Sequence, residues 1–162
     1  MGNARSAEKV PSMIAYKVGD SDRRPWGEYK VTAVGATAGG EEYCEKEITV
    51  NPAQILSLQS HEYRREHWIV RKGALTVVLD GEILTLEAGQ DVRVPLSAIH
   101  CMANTGDAPC VVHERQEGIC REEDIKRYVD SYGRGTESAD DQRAADSIAA
   151  YNAVVAKIKS GK

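Results

Sequence analysis

Gln59-Ser60-His61-Glu62-Tyr63-Arg64-Arg65-Glu66-His67-Trp68 is the stretch that decides the fold, and Pro95-Leu96-Ser97-Ala98-Ile99-His100-Cys101-Met102-Ala103-Asn104 answers it further along the chain. On a strand, side chains two apart share a face, so Gln59 and His61 point into one cavity. The step from His61 to Glu66 breaks that alternation unless residues 62–65 bend and deliver Glu66 from the start of the next strand. His100 closes the set from a third strand. One amide oxygen, two imidazoles and one carboxylate suit a divalent first-row metal, and the oxygen content favours manganese, iron, cobalt or zinc over copper. The expectation is a metal site on a β-barrel, with Gln59, His61, Glu66 and His100 as its ligands.

Outward from this stretch the chain reads as short β segments at 29–34, 42–50, 55–59, 66–70, 75–79, 83–86, 92–94, 100–104 and 110–115. Asp80-Gly81 between two apolar runs is a two-residue hairpin signal, because both turn positions favour positive φ. The 162 residues give room for one domain with a proper core. A net charge of −4 offers no electrostatic case for nucleic acid. No apolar run reaches the length of a signal or membrane segment, and the four cysteines form no CxxC pair, so a cytoplasmic setting without membrane contact is expected.

The periodicity predicts a flexible leader over 1–22, a barrel domain over 23–134 that includes a helix at 122–132, and an amphipathic helix within 135–162. Ser138 reads as the cap of that last helix, with Asp140 and Asp141 in its first turn and Lys157 and Lys159 near its end. Ala144, Ile148, Tyr151, Val155 and Ile158 form an apolar stripe that either docks on its own barrel or pairs with another chain.

These residues resemble the cupins, and within them the isomerase domain of the type II phosphomannose isomerases. Ala53 stands in the first glycine's place, followed by Gln59, His61, Glu66 and Gly73; the second motif runs Gly89, Pro95, His100, Asn104. Arg24-Pro25-Trp26-Gly27, Leu56-Ser57-Leu58-Gln59, Arg64 with Glu66-His67-Trp68, and Glu123-Asp124-Ile125 with Tyr132-Gly133-Arg134 follow the subfamily in order. The resemblance implies an all-β fold, a cupin (double-stranded β-helix, or jelly-roll) barrel with C-terminal helices. It implies a metal-dependent isomerase that interconverts mannose 6-phosphate and fructose 6-phosphate through an enediol. Arg64 corresponds to the subfamily's functional arginine, and Lys46 to a lysine that serves as proton relay or phosphate anchor. Arg24 and Arg134 are the phosphate-binding candidates. A homodimer is expected, since such barrels associate by sheet edges.

Nucleotide transfer, which the larger members carry on another domain, is not expected from these residues. Gly35, Gly39 and Gly40 lie between strands with no following helix to receive a phosphate. Three departures stand out: Cys101 where an arginine is common, Ser97 for a glycine, and Glu47 for a cation beside Lys46. Two of them remove positive charge expected near the cavity. Two other readings follow: an oxygenase on a two-histidine, one-carboxylate iron site, and a non-catalytic sugar-binding cupin suggested by the missing cations. His67, His113 and Trp68 read as structural, the cysteines as small apolar fillers, and Cys101 as near enough to the site to react.

Overall fold

Alternation of more and less buried side chains along four long strands builds the inner wall of the molecule. The computed structural model describes residues 15–137, 139 and 141–161. Its strands are β1 (Ser21–Arg24), β2 (Gly27–Ala36), β3 (Glu42–Val50), β4 (Gln54–Ile55), β5 (Leu58–Ser60), β6 (Arg64–Lys72), β7 (Ala74–Leu79), β8 (Glu82–Glu87), β9 (Asp91–Val94), β10 (His100–Asn104), β11 (Cys110–Gly118) and β12 (Lys126–Val129), followed by α1 (Gln142–Lys159). One antiparallel sheet has the order β1-β2-β3-β11-β6-β9 and the other β12-β5-β10-β7-β8, with β4 against β10. Ile48, Val50, Trp68, Val70 and Val112 of the first sheet meet Leu75, Val77 and Met102 of the second in one core.

Each expected strand is present, and the segment read as 55–59 divides into β4 and β5. Asp80 and Gly81 turn with φ of 45° and 88°, and β7 pairs with β8 across them. The helix expected at 122–132 is instead a turn and β12, which pairs with β5. Ile125, Tyr128 and Val129 do share a helical face, but an unpaired edge of β5 takes the backbone hydrogen bonds of this segment, and long-range pairing overrides the local pattern. The barrel is therefore followed by one helix among the described residues.

Residues 1–14 of the expected leader lie outside the described residues, while Lys17 to Asp20 form a turn bonded to Val31 and lead into β1. Ser138 and Asp140 also lie outside. Asp141, expected in the first turn of α1, is its N-cap and accepts from the Ala144 amide at 2.7 Å. The helix lies on the outer face of the second sheet, where Ala144, Ala150, Tyr151 and Val154 cover Ile55, Leu58, Val78, Ile99, Cys101 and Ala103. Its stripe docks in cis, turned slightly so that Ser147 and Val154 are more deeply buried than Ile148 and Val155.

Ser147 is fully buried and its hydroxyl has no partner among the described residues. Ser147→Ala removes an unsatisfied polar atom and improves helix propensity, so urea unfolding should give a gain of about 1 kcal/mol. Ser97 is exposed with φ of 63°, a left-handed conformation that costs a side-chain-bearing residue about 1 kcal/mol. Ser97→Gly should raise Tm, and a lower Tm would show that the turn is set by other contacts.

Candidate metal centre

Along β11 the inward residues change from Cys110 and Val112 to Glu114 and Gln116; along β6 they change from Val70 and Trp68 to Glu66 and Arg64. β3 follows with Ile48 and then Lys46. Because these strands are paired in register, Lys46, Glu114 and Trp68 form one row across the sheet, and Gln116 and Glu66 fall in the next. One end of the barrel is thus apolar and the other lined with buried polar groups. A cavity opens at the polar end.

The bend expected over 62–65 forms one residue earlier, over 61–64, where β6 begins. Asp124 holds it, its carboxylate accepting from the Glu62 and Tyr63 amides at 3.0 and 2.9 Å. The His61 and Tyr63 carbonyls accept from the Ser97 and Ile119 amides. Gly118 fits beside this corner because a Cβ there would lie 2.2 Å from the Tyr63 oxygen. The turn delivers Arg64 and Glu66 to the inner wall, where they meet His61 and, from β10, His100.

Both imidazoles have their tautomers fixed from behind. His61 Nδ1 donates to the Asp124 carbonyl at 2.6 Å, and His100 Nδ1 donates to that of Ala98 at 2.8 Å. Each Nε2 is thereby turned inward, the outer-shell arrangement that metal-binding histidines use. Glu66 Oε1 lies 2.9 Å from His61 Nε2 and 3.9 Å from His100 Nε2. One donor atom from each of His61, Glu66 and His100 falls within 4.8 Å of the others. His100 Nε2 is buried with no hydrogen-bond partner among the described residues, an orphan lone pair that a metal ion would satisfy. Burial lowers the His100 imidazole to about 4, leaving it neutral and ready to coordinate. Burial alone would raise Glu66, but its contact with His61 and the guanidinium of Arg64 outweigh it and hold its carboxyl well below the usual carboxylate range. The donor set fits a divalent cation.

Gln59 stands beside this group with its Nε2 3.5 Å from His61 Nε2, while its Oε1 accepts from Ser57 at 2.9 Å. Its oxygen would face the centre after a half-turn of the amide. Arg64 is buried rather than on the surface: Nε reaches Glu66 at 3.4 Å, Nη2 lies 3.3 Å from His61, and Nη1 donates to the Arg121 carbonyl. Lys46 is buried under the Tyr16 ring, 3.8 Å from its centroid, and near that of Tyr29. Arg24 and Arg134 line the same cavity but are engaged, Arg24 with Asp22 and Glu122 and Arg134 with both oxygens of Asp130. All eight expected site residues therefore gather at the polar end, with the two histidines behind Gln59 and Glu66.

Two departures lose their expected bearing on the site. His100 points inward, so its neighbour Cys101 points outward and is packed beneath α1, where burial pushes its thiol up to about 12. It is not a reactive group at the cavity. Glu47 is exposed on the far face of β3 from Lys46. Neither substitution removes charge from the cavity, and the argument for a non-catalytic chain built on them falls. His67 pairs with Asp91 and His113 with Glu45, both away from the centre.

Several residues at the site have roles that no motif in the sequence marks. Trp68, expected only in the core, also donates its indole N–H to Glu66 at 2.8 Å. Tyr16, assigned to the leader, covers Lys46 and donates to Glu122. Glu114 is buried between Lys46 and Glu66; burial and then the Glu66 charge push its carboxyl up to about 8. The alternation of 110–115 carried a signal for it, since a carboxyl in phase with Cys110 and Val112 belongs on the inner face.

The family model described as mannose-6-phosphate isomerase C-terminal matches residues 14–130. Mannose-1-phosphate guanylyltransferase of Escherichia coli (strain K12) is 38% identical over 112 residues, covering 68% of this chain and 22% of that protein. The alginate biosynthesis protein AlgA of Pseudomonas aeruginosa is 39% identical over 117 residues, 72% of this chain and 23% of that protein. The chain spans about a fifth of the length of the curated relatives it matches. Among solved structures, KdgF from Halomonas sp. superposes with a TM-score of 0.53 at 18% identity, over 61% of this chain and 86% of that one. CapF from Staphylococcus aureus gives 0.52 at 15% identity, over 65% and 32%. No helix among the described residues is long and apolar enough to cross a membrane.

Proposed function

Because the chain belongs to the family of mannose-6-phosphate isomerase C-terminal domains and folds as an all-β cupin with a C-terminal helix, we propose that it is a metal-dependent aldose–ketose isomerase acting on mannose 6-phosphate and fructose 6-phosphate. The observation that carries this reading is the convergence of three inward lone pairs, from His61, Glu66 and His100, beside a buried guanidinium. A bound divalent ion supplies a Lewis acid for the oxygens on the reacting carbons.

The chain's own residues do the rest. The reaction takes a proton from C2 of the aldose and returns one to C1, while negative charge gathers on the oxygens between. Arg64 offers charge-assisted hydrogen bonds to that charge, and its three contacts hold its plane in place before substrate arrives. Lys46 and Glu114, cross-strand neighbours on the inner wall, are the groups available to carry the proton. Tyr16 and Trp26 line the cavity and keep water from its inner end.

The test is fructose 6-phosphate formation by protein of known metal content, with deuterium exchange at C2 in heavy water. Turnover that a chelator abolishes and added metal restores is the expected result. Absence of both turnover and exchange in a folded, fully metallated protein would overturn the reading. The three donors His61, Glu66 and His100 on their own make a two-histidine, one-carboxylate set, which supports a second reading as an oxygenase. Oxygen uptake after anaerobic ferrous loading would support it, and its absence across candidate substrates would remove it.

A further inference from the structure

Arg127 is a cation whose neighbouring carboxylates, Asp130 and Glu122, are paired with other groups. β12 sets it in register with Gln59, and β10 sets His100 in register with the same Gln59. Arg127, Gln59 and His100 thus form one row across three adjacent strands, and residues in such a row project to the same side. Arg127 and Gln59 line the cavity, and His100 belongs to the metal centre. With neighbouring strands about 4.8 Å apart, the row spans about 10 Å of backbone from the centre to the edge strand.

Three guanidiniums line this edge of the cavity: Arg24, Arg127 and Arg134. The nearby carboxylates are already committed. Asp130 gives both oxygens to Arg134, and Glu122 accepts from Arg24 and Tyr16. Arg127 Nε is buried with no hydrogen-bond partner among the described residues. Burial, and then repulsion from Arg134, holds Arg127 below the ordinary arginine pKa against the opposing pull of Asp130 and Glu122. A partly buried cation left in this condition destabilises the empty protein, and the arrangement makes sense where a ligand brings the anion.

We infer that Arg127 anchors the terminal phosphate monoester of the substrate, one strand beyond Gln59 and two beyond His100, so that the site measures the distance between phosphate and reacting carbons. This rests on the isomerase reading of the metal centre. The guanidinium fork matches two phosphate oxygens at once, which an ammonium at the same place would not. A hexose with its phosphate at the far end of the carbon chain reaches from the centre to Arg127, whereas a phosphate on the reacting end does not.

The experiment is calorimetric binding of mannitol phosphate, mannitol and mannose 1-phosphate to the metal-loaded full chain and to Arg127→Gln and Arg127→Lys, with melting curves of each. Mannitol phosphate has no carbonyl, so its binding is independent of whether the chain isomerises anything. The wild type should bind it at least about 10-fold more tightly than mannitol or mannose 1-phosphate. Arg127→Gln should weaken it about 10- to 100-fold, with Arg127→Lys between. Unliganded Arg127→Gln should melt no lower than the wild type, since it loses an unpaired charge rather than a structural contact. Unchanged affinity in Arg127→Gln, failure of the wild type to prefer mannitol phosphate over either comparison ligand, or a markedly lower melting temperature would each overturn the anchor. A chain that interconverts the hexose phosphates with its KM unaffected by Arg127→Gln would overturn the anchor and leave the isomerase reading standing.

Discussion

His100→Ala is expected to yield a folded protein that no longer retains a divalent ion through gel filtration, and with it no isomerase activity. The imidazole contributes a buried Nε2 that has no protein partner, so its stabilising interaction is with the ion and its loss falls on metal binding. Removing an outer-shell partner of a metal ligand already weakens binding about 10- to 100-fold, and removing the ligand itself should exceed that. Elemental analysis of dialysed protein gives the answer directly. Full metal occupancy in His100→Ala would remove this histidine from the site and, with it, the third strand's share in the centre.

Arg64→Ala should do the reverse, keeping the ion and losing the chemistry. Loss of one donor aimed at developing negative charge costs about 10²- to 10³-fold in kcat, and a guanidinium brings more than one. Lysine should rescue little, because Arg64 reaches Glu66, His61 and the Arg121 carbonyl in three directions that one ammonium cannot satisfy together. KM for mannose 6-phosphate should change less than kcat, since the contact strengthens as charge develops. Steady-state kinetics on metal-matched samples separates the two effects. An Arg64→Ala enzyme with unchanged kcat would make the residue a structural brace for the 61–64 corner.

Much of this is legible in the sequence, and the reasons differ by element. Alternation fixed which residues of β3, β6 and β11 face inward, and Asp80-Gly81 marked its hairpin, because both signals are local. The same alternation separates Cys101 from His100 and Glu47 from Lys46, so direction along the strand outweighs charge at both positions. β12 has a pattern that fits a helix, and its pairing with β5 is a long-range event that local spacing does not carry. Tyr16 and Arg127 carry no motif for a related reason: each matters through what the chain places beside it. Asp124 is intermediate, present in a quoted block but with its grip on the 61–64 bend invisible to spacing.

The bend at 61–64 also sets an order of events. His61 is aimed by a carbonyl at Asp124, and His100 belongs to a strand that pairs with both β5 and β7. No short stretch of nascent chain holds the donors in position. A topology dominated by such distant pairings folds slowly, because each loop must close before its contacts form. Capture of the ion is therefore a late step, made by an already closed barrel. The unfolded chain should reach native secondary structure at the same rate with or without metal present, and the ion should instead slow unfolding, its effect rising with the logarithm of its free concentration.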